Sequence, residues 1–296
     1  MQTIEPTDDW QSIRSSDRRA PVADLALVLA SVGVEHHLHR IEGRWHLLVR
    51  QSRIAVASHQ LAQYELENRT RPKPPTPVHV VDSGRLGVAG YVLVIWCVPF
   101  LEFLSGSGWR GSGVMHAASV LDGEWWRTIT ALTLHADLGH IFANTMFGSL
   151  FGWLACRYLG SGVAWLLVVL AAACGNGLNA LVQPAEFRSI GASTAVFASL
   201  GLVGTFVWRR GYLRAWGWRR SFAPVFAAIA LVAYTGTGGG NTDVAAHLFG
   251  FICGAGTGLV AARTNFRWLG STGQTLAGAL AVTAIAVAWM LALRAQ

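Results

Sequence analysis

The sequence predicts an all-α polytopic membrane bundle, six spans plus a seventh, with a small soluble α/β module in front. Three observations carry that prediction. Hydrophobic residues make up 52% of the 296 and charged residues only 13%, against about 25% charged in an ordinary soluble domain. The charge is also segregated. Residues 1–68 are polar and mixed, while residues 86–296 hold seven apolar runs close to the ~20 helical residues that cross a bilayer core. Between them lies a linker, 69–85, which opens with Arg69-Thr70-Arg71-Pro72-Lys73-Pro74-Pro75-Thr76-Pro77; its prolines favour a stiff, extended chain.

The start of the chain, Met1 to Asp9, lacks a basic stretch followed by an apolar core, so no cleavable signal peptide is expected. Val22 to Val32 places Leu25, Leu29 and Val32 at helical spacing and ends at Gly33, a residue suited to a helix C-cap. Val34 to His39 and Trp45 to Val49 read as strands about a Glu42-Gly43 turn, and Ser58 to Asn68 as a polar helix. So short a module buries a marginal core. His36, His37 and His39 lie close together, but neighbours on a strand point to opposite faces and no Cys or carboxylate completes a metal set. They are expected on a solvated strand edge. A docking or regulatory role, with an unidentified partner, is the expectation for this module.

The expected spans are Leu86–Leu104, Leu138–Leu159, Val163–Val182, Ile190–Trp208, Phe222–Tyr234, Val244–Ala262 and Leu276–Leu293. Pro99 marks a kink in the first. The long loop from Ser105 to Asp137 holds Trp109, Trp125, Trp126 and Arg127. Trp settles at headgroup level, so this loop is expected to lie partly in the outer interface. The four cysteines, Cys97, Cys156, Cys174 and Cys253, all fall in apolar runs and read as small buried hydrophobes.

Basic residues in the short loops set the orientation. One set of alternate loops holds Arg157, then Arg209, Arg210, Arg214, Arg219 and Arg220, then Arg263 and Arg267; the other holds Arg110 and Arg127 in the long loop, Arg188, and nothing basic from Thr235 to Asp243. The first set, with the N-terminus, is expected in the cytoplasm and the C-terminus outside, in a plasma (bacterial inner) membrane. The net charge of +7 therefore reads as loop arginines, and Tyr212, Trp216 and Trp218 beside them as interface anchors, with no nucleic-acid face.

That orientation places four polar residues at one level. His140 and Asn144 enter the second span, Ser193 the fourth and His247 the sixth, all from outside and within about two helical turns of the same surface. Ser193 alone, in Ser189-Ile190-Gly191-Ala192-Ser193-Thr194, reads as readily as a helix N-cap. A buried histidine is costly in a bilayer and points to function, and a hydroxyl, an imidazole base and two further donors are the parts of acyl transfer. The sixth span carries Gly250-x-x-x-Gly254-x-x-x-Gly258, and the fourth offers Gly191, Ala195 and Ser199 at four-residue steps. Small faces of this kind let helices approach closely.

Gly191-Ala192-Ser193, Ala246-His247-x-x-Gly250, His140-x-x-x-Asn144 and Trp125-Trp126-Arg127 ahead of His135-Ala136-Asp137-Leu138-Gly139-His140 resemble the rhomboid intramembrane serine proteases. The resemblance covers residues 86–293 and implies a rhomboid-like fold of six spans plus one. It implies Ser193 as nucleophile and His247 as general base in a dyad. His140, Asn144 and the backbone N–H of Ser193 would bind the oxyanion. The reaction it implies needs no cofactor and no metal, and its substrates are single-span membrane proteins cut in or near their transmembrane segments in the lipid bilayer. Thr194 stands where that family usually has Gly, and is expected to be tolerated. Asp243, one turn before His247, is expected to face outer water rather than complete a triad. Asn176 and Asn179 are expected to bond across helices, and the Gly-rich loop Thr235–Asn241 to cap the site or simply connect. The alternative is a catalytically inactive relative that binds transmembrane helices. A transporter is disfavoured, because the sequence shows no inverted repeat and no carboxylate deeper in an expected span than Glu102, near the end of the first.

Overall fold

The computed structural model describes residues 9–68, 78–105, 108–212 and 243–295, with 223, 226, 227, 230 and 231 between the last two stretches. The chain divides into two compact units, Met1–Lys73 and Pro74–Gln296.

In the first unit, β1 (Trp10–Ser16), β3 (Arg44–Arg50) and β2 (His36–Ile41) form an antiparallel sheet in that spatial order. Two helices accompany the sheet, α1 (Arg19–Ser31) and α2 (Ile54–Asn68). Val22, Leu29, Leu47, Val49, Ala57 and Leu61 form the core. Gly33, at φ +69°, ends α1 as expected: the Gly33 N–H donates to Ala30 O and the Val34 N–H to Leu29 O. That pair of bonds is the Schellman arrangement, which needs a left-handed residue. Glu42 and Gly43 both have positive φ and pair Ile41 with Arg44, the geometry of a two-residue hairpin. His37 packs its ring on Trp10, while His36 Nδ1 meets Val34 O at 2.8 Å. β1 has no counterpart in the sequence reading; of its residues only Trp10 and Ile13 are apolar strand formers.

In the second unit, α3 (Arg85–Ser105) is followed by short turns of helix in the long loop: α4 (Trp109–Gly113), α5 (Ala117–Leu121) and α6 (Arg127–Thr130). Then come α7 (Leu138–Leu159), α8 (Ser161–Val182), α9 (Ser193–Arg210), α10 (Val244–Ala261) and α11 (Gly270–Arg294). Among the described residues, four stretches combine the length and apolarity of a membrane span: α3, α8, α10 and Phe266–Arg294, which contains α11. With 22 and 18 residues, α7 and α9 are long enough, and their mean hydropathy is lowered by His140 and Asn144 in α7 and by Arg209 and Arg210 at the end of α9. The fifth expected span, Phe222–Tyr234, lies largely outside the described residues, and so does the Gly-rich loop. α3 runs on through Pro99.

The most extensive helix contact is α9 against α10. An added Cβ at Gly250 would lie 2.5 Å from Thr194 O, at Gly254 2.0 Å from Ala198 O, and at Gly258 2.3 Å from Leu202 O. Gly201 returns the contact from α9, 2.3 Å from Phe251 O. The α10 face is the one its sequence announced. The α9 face is rotated by one residue, with Thr194, Ala198 and Leu202 in the seam and Ala195 and Ser199 beside it.

The long loop is braced from two sides. Strand β4 (Met115–His116) pairs with β5 (Arg188–Ser189), just ahead of α9. Trp289 of α11 donates to Thr133 Oγ1 at 3.0 Å, and its ring fills the space a side chain at Gly113 would need. Arg127 Nη1 donates to Gly111 O and Val114 O, and its Nε pairs with Glu124.

Candidate active site

Ser193 is the first residue of α9; the cap position is Ala192, and no side chain caps the helix. The N-cap reading of Ser193 is therefore replaced by one in which its side chain is left for other work. Gly191, at φ +138°, sits in backbone space open mainly to glycine. A Cβ there would lie 2.7 Å from His140 Cε1, 2.8 Å from His140 Nε2 and 3.4 Å from Ser193 Oγ. The absent side chain is thus what lets the His140 ring close over the start of α9. The Gly191 N–H is fixed by Ala131 O at 2.9 Å, which ties this turn to the long loop.

His140 is set by the cap of its own helix. Asp137 Oδ1 accepts from the His140 N–H at 2.8 Å, the N-cap geometry. The Ala136 N–H donates to His140 Nδ1 at 3.4 Å. A neutral ring that accepts at Nδ1 carries its proton on Nε2, the nitrogen turned toward Gly191. Asn144, one turn further along α7, is buried, and its Nδ2 makes no hydrogen bond among the described residues. Its backbone carbonyl accepts from Tyr91 Oη at 2.7 Å.

His247, 4% exposed, lies flat on Phe197, with ring centroids 4.5 Å apart and 20° between planes. Phe197 is one turn along α9 from Ser193, so the stacking sets the imidazole against the helix that carries the serine. Neither His247 Nδ1 nor Ser193 Oγ makes a hydrogen bond among the described residues; such contacts are often loose before substrate binds.

Around these groups runs a buried polar frame centred on α8. Asn176 Nδ2 donates to Thr128 O at 2.9 Å, and its Oδ1 accepts from Thr194 Oγ1 at 3.0 Å. Asn179 Nδ2 donates to Asp243 Oδ2 at 2.6 Å. Asp243 Oδ1 caps α10 at the Ala246 N–H. The expectation that Asp243 faces outer water is corrected: it is half-buried and both oxygens are engaged, because capping a helix end inside the bundle satisfies its charge better than exposure at the loop. His135 packs edge-on against His140, ring centroids 5.2 Å apart. It lies in the loop ahead of α7, and burial pushes its imidazole down to about 3, helped by His140 and Arg110 nearby.

The sequence reading did not single out Phe197 or Tyr91. Phe197 was traceable through its four-residue step from Ser193, and Tyr91 as a phenol inside an apolar span.

These helices and this frame define an integral membrane protein with its polar residues gathered at one end of the bundle. The family model "Rhomboid domain" matches residues 122–264. The chain is 30% identical over 161 residues to YdcA of Bacillus subtilis (strain 168), provisionally named a rhomboid protease, covering 54% of this chain and 79% of YdcA. It is 29% identical over 180 residues to the rhomboid protease GluP of the same strain, covering 60% of this chain but 34% of GluP. It is 28% identical over 145 residues to rhomboid-like protease 3 of Toxoplasma gondii, covering 48% of this chain and 54% of that protein. The chain belongs to the rhomboid family.

Proposed function

We propose that the chain is an intramembrane serine endopeptidase that cuts single-span membrane proteins in or near their transmembrane segments. The observation that carries this reading is the glycine seam. Backbone contact at Gly250, Gly254 and Gly258 holds α9 and α10 together, so Ser193 and His247 ride on one paired unit, with Phe197 of α9 stacked on the His247 ring.

In this reading Ser193 Oγ attacks the scissile carbonyl carbon as His247 takes its proton. The carbonyl oxygen becomes an oxyanion, held by His140 Nε2–H, Asn144 Nδ2–H and the Ser193 N–H. Donors aimed at developing charge in a water-poor site supply a large share of catalysis. His247 then passes the proton to the leaving amine. Water, deprotonated by His247, releases the acyl group from Ser193. The N-terminal unit, residues 1–68, acts from the cytoplasm as a docking or regulatory module, and the C-terminus lies outside.

The deciding experiment is cleavage of a generic single-span substrate in liposomes by the wild type beside Ser193→Ala, with fluorophosphonate labelling of both. Product and label from the wild type alone are expected. An unlabelled Ser193 and no product would favour a helix-binding relative without activity.

A further inference from the structure

A cavity of about 730 Å³ opens between α3, α8 and α11, on a different side of α9 from the glycine seam. Its walls are mostly apolar. Its mouth lies where α3 and α11 begin, beside Asp82, Arg267 and Gln274, and its inner end reaches Leu132, Ala192 and Ile285. From Gly270 to Ile285 along α11 is about 22 Å at ~1.5 Å per residue. Beyond that, Val98 of α3 and Leu134 join Trp289 and Ala292 of α11 in one buried cluster, and the cleft closes. It is a wedge, open sideways along the exposed Leu86 and Val282 and ended by that cluster.

We propose that this cleft holds one anionic phospholipid, with an acyl chain along the apolar wedge and the phosphate at Arg267. A spanning helix needs ~30 Å of continuous passage, which the Val98–Trp289 cluster denies. An acyl chain enters from one leaflet and ends within it. An apolar cleft of this size inside a bilayer takes up hydrocarbon, because its walls offer water too few partners.

The mouth selects for negative charge. The Arg267 guanidinium is exposed and makes no hydrogen bond or ion pair among the described residues. α11 starts beside it without a side-chain cap, so the positive end of the helix dipole faces the same spot. The one carboxylate lining the mouth is already committed: Asp82 accepts from the Ser161 N–H and Oγ and from the Gly84 N–H. The wedge also touches the site from behind. Ala192 precedes Ser193, and Tyr91, stacked on Trp165 and bonded to Asn144 O, forms part of the wall.

Gly90 gives a clean test. It lines the cleft, and a Cβ there meets nothing within 4 Å, so Gly90→Leu starts from open space, adds its bulk to the wedge and suits the helix better. The control is Gly256→Leu on α10, away from the cleft, where a Cβ also meets nothing. Full-length protein is equilibrated in vesicles of equal phosphatidylglycerol and phosphatidylcholine, extracted, and its retained lipid weighed by native mass spectrometry. One retained phosphatidylglycerol is expected in the wild type and in Gly256→Leu. At least a fivefold loss is expected in Gly90→Leu, and loss of headgroup preference in Arg267→Gln. Equal retention of both lipids by the wild type, or undiminished retention by Gly90→Leu, overturns the proposal. The readout is independent of the proposed proteolysis, and Ser193→Ala is expected to retain lipid as the wild type does.

Discussion

Thr194 Oγ1 donates to Asn176 Oδ1 across 3.0 Å in the buried interior of the bundle. The residue beside the proposed nucleophile is therefore tied to α8, and through Asn176 Nδ2 to Thr128 in the long loop. Thr194 also packs its methyl toward Gly250, where an added Cβ would lie 3.0 Å from it. The position usually occupied by glycine in this family has become a built contact.

Thr194→Gly is accordingly expected to weaken the protein. The substitution strands the Asn176 acceptor, at ~1–3 kcal/mol for a buried group left unpaired, and adds ~0.3 kcal/mol of helix cost. Unfolding in mild detergent with added denaturant measures it; a variant as stable as the wild type would remove Thr194 from the frame.

Gly254→Val is expected to abolish folding or activity, since its Cβ would sit 2.0 Å from Ala198 O. Gly256→Val, two residues away with open space at its Cβ, is expected to behave as wild type. Comparable damage from both would show that β-branching in α10, rather than the seam, is at fault.

His247→Ala and Ser193→Ala are expected to lower cleavage by the same large factor, and the double variant by no more than either alone, because members of a catalytic unit are non-additive. Single-turnover assays of the three variants decide it. Substantial residual cleavage in His247→Ala would reassign the base.

Asp243→Ala removes the cap on α10 and the partner of Asn179 together. The expected loss is ~1 kcal/mol for the cap and ~1–3 kcal/mol for the stranded amide. Asp243→Asn keeps the cap and is expected to recover part of the stability. A third triad member would instead lose turnover with stability unchanged.

His135 makes stability depend on acidity. Burial lowers its imidazole from about 6.5 when unfolded to about 3 when folded. The unfolded chain then binds the extra proton first, so this contribution is whole above about pH 6.5 and drains away as pH falls toward 3. The apparent Tm should drop between pH 7 and pH 5, and His135→Gln should flatten that slope.

The parts of this molecule most legible in sequence were those written as periodic patterns or stop signals. The Gly250–Gly254–Gly258 repeat announced its own face, and Gly33 and Glu42-Gly43 announced a helix end and a hairpin. What stayed hidden was relational. Which of two neighbouring faces of α9 meets α10 depends on a rotation of about 100° per residue that packing with α8 decides, so Thr194 and Ala198 stand in the seam where Ala195 and Ser199 were expected. Asp243 looked like a loop carboxylate because its partner, Asn179, is distant in sequence. Strand β1 is held by pairing with β3 and carries too little apolar alternation to declare itself. Of the proposed site, Ser193, His247, His140 and Asn144 were named from expected depth and motifs, whereas Phe197 and Tyr91 come into view only once helices are assembled.

The α9–α10 seam also limits how the protein can breathe. Two helices in backbone contact have no side-chain layer to slide on, so they move as one stiff plank. In the proposed protease, any gate that admits a substrate segment must hinge somewhere other than between them, and substrate and water would pass around that plank instead of through it.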